Sequence, residues 1–348
     1  MLQIKNILKI FLITFSLFFF IDFLIGERLL KKIGIIYLED LYRVKNSNYE
    51  YSFQNNLNTN YAVWGDSYYK LCTDSRGFKF NCTDKEQKNY HIAFIGDSFT
   101  EGIGLPFEKT FVGKYKKKSG LAVVNLGVAS YSPNIYLKKI KYLITNDIIS
   151  FDHLVVGIDL TDLEDDWVRS KKNIKENTKI KKKDIDLKFF LAKNLPTTYL
   201  ILKKINWYFK IHIIKNANIN HLDYYKNKSS WSYIKNYYEL DKKIKNHVNY
   251  MEELFFFLRE KNIQISVLIY PHQASIKFDQ RNSLYKNIWE KYCIDKCYKF
   301  IDAYSIFFDI VDISSKEQVM NMYYINGDPH FNEKGNNIIF EKLIKILK

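Results

Sequence analysis

The chain has 348 residues, enough for one substantial core with an added lobe or insertion, and a hydrophobic fraction of 47% with 17% aromatics excludes a disordered polymer. Its formal net charge of +15 comes from lysines scattered among isoleucine, asparagine and tyrosine, with no basic recognition module beside them. Nucleic acid is therefore not an expected partner.

The first element in chain order is a membrane segment. Ile10 to Ile25 is apolar apart from Thr14, Ser16 and Asp22, and Ile7 and Leu8 extend it beyond Lys9, which brings it near the lower length limit for spanning a bilayer. Lys5 and Lys9 precede it and Arg28, Lys31 and Lys32 follow, so counting flanking charges does not orient it. The run ends in Phe23-Leu24-Ile25-Gly26-Glu27 without the small residues of a cleavage site, and we expect an uncleaved anchor over residues 1–30 with only its tip in the cytoplasm.

Residues 31–88 read as a stalk and small lobe, polar and aromatic, with turn signals at Trp64-Gly65-Asp66-Ser67 and Asp74-Ser75-Arg76-Gly77. Four cysteines fall in two local pairs, Cys72 with Cys82 and Cys293 with Cys297, and neither has the spacing of a zinc knuckle or redox motif. Two short-range disulfides are expected. They place the domain in an oxidising compartment, making the chain a single-pass membrane protein with a periplasmic or extracellular domain.

From residue 89 to 348 a strand-helix alternation sets in. His91 to Ile95 is a short apolar run ending at Gly96, Leu121 to Leu126 ends at Gly127, and His153 to Ile158 ends at an acidic cluster. A helix is expected from Thr110, another over Tyr238 to Glu260, strands at Ile263 to Tyr270 and Tyr298 to Ile301, and a closing helix from Asn336 to Leu347. The stretch at about 169–228 breaks the pattern and reads as an insertion: a cap, a surface on lipid headgroups, or a solvated variable region. The pattern predicts a parallel sheet with helices on both faces, whose working residues gather beyond the carboxyl ends of the strands.

At one such end stands Ser98, between a strand and an expected helix. A serine nucleophile needs a base, an orienting carboxylate and fixed donors for the oxyanion. Far along the chain, Asn326-Gly327-Asp328-Pro329-His330 puts a carboxylate two residues before a histidine on a loop ahead of the last helix. There Asp328 is able to hold one ring nitrogen while the other reaches Ser98.

Together, Gly96-Asp97-Ser98-Phe99-Thr100-Glu101-Gly102 and the segment Asp328 to Gly335 resemble the SGNH, or GDSL-type, hydrolase superfamily from about residue 90 to the end. The resemblance implies an α/β, flavodoxin-like three-layer α/β/α fold with a central parallel sheet, here with an N-terminal membrane helix and an insertion. It implies Ser98 as nucleophile, His330 as base and Asp328 as carboxylate. It also implies an oxyanion hole from the N–H groups of Ser98 and Gly127, with Thr161 in the place of the family's asparagine. His272, in Pro271-His272-Gln273, is a further candidate for contacting substrate.

No cofactor is expected. The acidic cluster Asp162, Glu164, Asp165 and Asp166 lacks a calcium-loop spacing, so no metal is expected either. The expected activity is that of a serine esterase or O-acyltransferase acting on acyl esters of a cell-envelope glycan. A catalytically silent SGNH-like protein that binds or assembles polysaccharide, and a lipid esterase, are the alternatives.

Overall fold

A computed structural model describes residues 2–26, 28, 42–64, 67–175, 191, 194–202, 205, 228–234 and 236–347. Most of the expected insertion at 169–228, and the first part of the expected stalk, lie outside the described residues. Helix α1 (Leu2–Ile21) runs into a π-helical turn (Asp22–Gly26), and from Lys5 to Ile21 nearly all its side chains are exposed. Lys5–Gly26 is long and apolar enough to cross a membrane.

A two-stranded hairpin follows, β1 (Arg43–Asn46) with β2 (Glu50–Phe53). Then come β3 (Asn58–Trp64), β4 (Ser67–Thr73), β5 (Lys79–Phe80) and β6 (Asn89–Ile95). Beyond them lie α2 (Ser98–Glu101), α3 (Phe111–Ser119), β7 (Val123–Asn125), α4 (Pro133–Thr145), β8 (Ser150–Ile158) and α5 (Asp162–Lys175). The chain continues with α6 (Leu240–Arg259), β9 (Gln264–Ile269), α7 (Gln273–Phe278), α8 (Leu284–Cys293) and β10 (Lys299–Asp302). It closes with α9 (Tyr304–Asp312), α10 (Lys316–Tyr323) and α11 (Glu333–Ile346).

One eight-stranded sheet holds the fold, in the order β10-β9-β8-β6-β7-β5-β4-β3. Five of its strands, β7-β6-β8-β9-β10, are parallel, with Ala93 opposite Leu154 and Val124, and Val155 opposite Ser266. Taken in chain order, those five strands run second-first-third-fourth-fifth, the flavodoxin order, which places the switch point between β6 and β8. The expected three-layer α/β/α arrangement is present, but the sheet is mixed. β5 joins β7 antiparallel through Lys79 and Asn125, and β4 and β3 extend it antiparallel, so the segment expected as a small lobe continues the main sheet.

The apolar runs behave as strands buried on both faces should. Ile92, Ala93, Phe94 and Ile95 are all buried, as are Leu154, Val155, Val156 and Ile158. Helices α4, α5 and α6 pack together in one layer and α3 and α11 in the other. Side-chain caps fix their starts: Thr110 accepts from Gly113 N (3.1 Å) and Ser283 from Lys286 N (3.1 Å). Asn332 accepts from Lys334 N and Gly335 N (2.9 and 3.1 Å), so α11 begins at Glu333, ahead of the expected Asn336. Both expected disulfides, Cys72–Cys82 and Cys293–Cys297, are formed, and no cysteine is free.

Candidate active site

β6 gives way at Gly96, just past Ile95, where a β-carbon would lie 2.1 Å from Thr100 Oγ1 and 2.8 Å from Gly157 O, so only glycine allows the turn. Asp97 then caps α2 by accepting the N–H of Phe99 at Oδ1 (3.0 Å). Ser98 is the first residue of α2, and its own N–H has no intrahelical acceptor. It sits at the carboxyl end of β6, beside the switch point.

The base arrives on the loop before α11, held by Ile325 N to His330 O (2.8 Å) and by the pairing of Tyr324 with Phe331. His330 Nε2 lies 2.8 Å from Ser98 Oγ, and His330 Nδ1 lies 2.5 Å from Asp328 Oδ1. An ionised Asp328 only accepts hydrogen bonds, so Nδ1 carries the ring proton and Nε2 presents its lone pair to the serine. Two aromatic residues register the loops. Phe99, next to Ser98, and Phe331, next to His330, meet edge to face at 4.9 Å, and Phe99 also lies 5.1 Å from the His330 ring.

Electrostatics supports the same division of roles. Burial would push the Asp328 carboxyl up, yet the charge and hydrogen bonds of His330, and a bond from Trp64, bring it below its ordinary value. Burial would likewise lower His330, but Asp328 outweighs it and the imidazole is raised. Burial first, and then the charge of Asp159, pushes Asp97 up to about 8, so near neutrality it is largely an uncharged acid. This bears on Ser98, whose Oγ is also 3.2 Å from Asp97 Oδ2. A neutral Asp97 competes weakly for the serine proton and leaves it to His330.

Sequence reasoning missed Trp64. Its Nε1–H donates to Asp328 Oδ2 (3.0 Å), and its ring stands edge-on to His330 at 5.2 Å. Trp64 is the last residue of β3 and stands out in the sequence only as part of a turn, and nothing there links it to a loop 264 positions away. Glu101 was missed as well. Fully buried, it binds Arg43 Nη2 (2.9 Å) and accepts the N–H of Ala129 (2.7 Å), clamping the Ser98 turn to the β1–β2 hairpin and to the loop after β7.

The other expected anion donors are engaged elsewhere. Gly127 N–H donates to Asn125 Oδ1 (2.9 Å), and a β-carbon there would press on Glu101 N at 2.8 Å and on Thr100. Thr161 gives both its N–H (3.0 Å) and its hydroxyl (2.5 Å) to Asp159 Oδ2. The physical reason is Asp159 itself, a buried carboxylate that takes the nearest donors in its own turn. His272 is buried at the start of α7, where Nδ1 accepts the N–H of Ala274 (3.1 Å). Burial lowers it to about 4, so the ring is neutral with its proton on Nε2, and its electrostatic neighbours include Asp159 and His330.

The acidic cluster disperses. Glu164 pairs with Lys243 (2.6 Å), Asp165 with Lys228 (2.7 Å), and Asp166 with His247 (2.6 Å) and Ser132. Asp162 joins Asp97 and Asp159 instead, the three offering oxygens within 4.8 Å of one another. Burial, followed by the charges of Asp97 and Asp159, drives Asp162 well above the ordinary carboxylate range. Shared protons thus relieve this buried group.

No protein-family model and no curated protein matches the chain. Among solved structures it is similar to a member of the lipolytic protein G-D-S-L family from Veillonella parvula (12% identity, 74% of this chain and 97% of that one, TM-score 0.41). It is also similar to a catalytic mutant of an acetylxylan esterase from Geobacillus stearothermophilus (11%, 75% and 94%, TM-score 0.41). A third is a GDSL-like lipase from Bacteroides thetaiotaomicron (12%, 74% and 86%, TM-score 0.37). Likenesses of this size carry no functional inference, and the chemistry rests on the geometry above.

Proposed function

We propose that the chain is a serine esterase or O-acyltransferase of the SGNH type. The observation that carries this reading is the unbroken line Asp328–His330–Ser98, in which a 2.5 Å bond within the loop orients the ring and a 2.8 Å bond joins it to a serine 232 positions away. Ser98 Oγ attacks an ester carbonyl as its proton passes to His330 Nε2, and Asp328 holds the imidazolium that forms. The ester C–O bond then breaks, the leaving alkoxide takes the proton back from His330, and an acyl-serine remains. Water as second nucleophile completes hydrolysis, and a sugar hydroxyl completes transfer. The Ser98 N–H faces no intrahelical acceptor and suits the oxyanion, whereas Thr161 becomes a donor only by leaving Asp159.

The substrate class is an acyl ester of a cell-envelope glycan, which follows from the SGNH resemblance alone. A membrane anchor with the domain outside the cytoplasm is supported by the apolar Lys5–Gly26 helix together with two disulfides. The occupied Gly127 and Thr161 donors favour one second reading, a catalytically silent protein that binds or assembles polysaccharide. A fluorophosphonate probe separates the two: labelling of folded protein at Ser98, lost in Ser98→Ala, is expected of the enzyme. Absence of labelling at Ser98 in folded protein overturns the enzyme reading.

A further inference from the structure

We infer that the helical stretch at 196–202, within the insertion, is a second membrane-contacting element, seated in the bilayer interface where the anchor ends. The inference rests on the membrane-anchor reading of α1 and adds to it a defined lipid-facing surface. Asp22 is a carboxylate inside the apolar Lys5–Gly26 segment, yet it is only 3% exposed. An unpaired acid in such a segment is costly. This one is fully engaged: Oδ1 accepts the N–H of Thr197 (3.0 Å), and Oδ2 accepts the N–H (2.8 Å) and hydroxyl (2.6 Å) of Thr198.

Those donors are the opening groups of the helical turns at 196–202, so Asp22 caps from the anchor a segment about 175 positions away. Gly26 makes the contact close, because a β-carbon there would lie 2.1 Å from Asp22 Oδ1 and 3.3 Å from Pro196 Cγ. The segment therefore sits at whatever depth the end of the anchor sits.

Its surface fits that place. Thr198 and Tyr199 are buried, while Ile201 and Leu202, and Ile205 beyond them, are 45–49% exposed. Next in sequence to the docking residue Asp22, the anchor likewise exposes Phe23, Leu24 and Ile25 by 45–57%. The described turns at 196–202 rise only about 10 Å from a start capped at the end of the anchor, which keeps them at interfacial depth. In the sequence, Lys203 and Lys204 follow Leu202, a composition suited to anionic headgroups. The partner is a lipid bilayer, and the effect is two-point attachment, with the catalytic domain held at a set tilt.

The test uses the full chain in vesicles of phosphatidylcholine and phosphatidylglycerol, with a polarity-sensitive maleimide dye at Leu202→Cys, Ile201→Cys or, in mid-anchor, Phe15→Cys. Both native cysteine pairs are disulfide-bonded, so only the new thiol reacts. The expected result is blue-shifted emission at all three positions. Headgroup-proximal bromolipids should quench Leu202 and Ile201 about twofold or more, and deep bromolipids should quench Phe15. Quenching at Phe15 with water-like emission at Leu202 and Ile201 overturns the inference and leaves the anchor standing. A blue shift there without lipid quenching means protein covers the face, which also overturns it. Absence of quenching at all three positions overturns both.

Discussion

The two sides of Ser98 differ in readiness. On the His330 side, serine hydroxyl, ring and carboxylate are linked at 2.8 and 2.5 Å, and Trp64 secures the far carboxylate oxygen. On the anion side, Gly127 is bound to Asn125 and Thr161 to Asp159. Activating the serine thus needs no rearrangement, while stabilising charge on the substrate oxygen falls chiefly to the Ser98 N–H. This difference predicts a serine that reacts readily with an electrophilic probe but turns over esters slowly, since one missing oxyanion donor costs about 3 kcal/mol.

The largest effect should come from breaking the ready side. Asp328→Asn keeps the shape but turns the ring tautomer, and kcat for an activated acetyl ester is expected to fall about 10,000-fold. A loss under tenfold would mean that Asp328 does not orient His330. Trp64→Phe is next. It removes one hydrogen bond to a charged carboxylate, and kcat should fall about tenfold or more. Asp328 lies below its ordinary value and stays ionised without that bond, and relieved of one donor it holds the His330 imidazolium more firmly, so the rising limb of the kcat/KM profile should also move to higher pH. An unmoved limb would make Trp64 a packing residue only.

How much of this was legible in the sequence depended on distance and on competition. The strands announced themselves because a sheet buried on both faces leaves unbroken apolar runs, and Ser98, Asp328 and His330 were readable because each lies in a short local motif, Gly96-Asp97-Ser98 and Asp328-Pro329-His330, although the two motifs are 232 positions apart. The mixed edge of the sheet was not, since β5 is only Lys79–Phe80 and its pairing with β7 is made in three dimensions. The oxyanion side failed for another reason. Whether the Gly127 N–H or the Thr161 hydroxyl is available depends on which acceptor lies nearer, and Asn125 and Asp159 each sit two residues away in the same turn. Local polar competition of this kind has no periodic signature.

A smaller effect concerns pH. His330 is raised above its ordinary 6.5, so kcat/KM should rise through a limb above that value as the base loses its proton. Asp97 is pushed up to about 8 by burial and then by Asp159, and above that pH its charge competes for the Ser98 proton and opposes the oxyanion. The profile should therefore fall near pH 8, and Asp97→Asn, neutral throughout, should lose the falling limb. Stability follows the same group. The folded pKa is above the ordinary 3.8, so the contribution is complete below that value and is lost as pH rises through about 8. Melting temperatures of the two proteins should diverge in the asparagine variant's favour across that window.

The smallest expected change tests the anion side itself. Thr161→Val removes a hydroxyl whose hydrogen already points to Asp159, so if that bond persists during the reaction, kcat should change by less than about threefold, far below the loss of a working oxyanion donor. If instead substrate draws the hydroxyl away from Asp159, the same variant should lose about 100-fold, and the occupied side would be a resting state that opens on binding. Thr161→Asn sharpens the choice. An amide has two donor hydrogens, so it is able to keep Asp159 satisfied and still offer one to the oxyanion. A gain in kcat of about tenfold, with fluorophosphonate labelling of Ser98 unchanged, would locate the deficit in charge stabilisation and leave the activation of the serine intact.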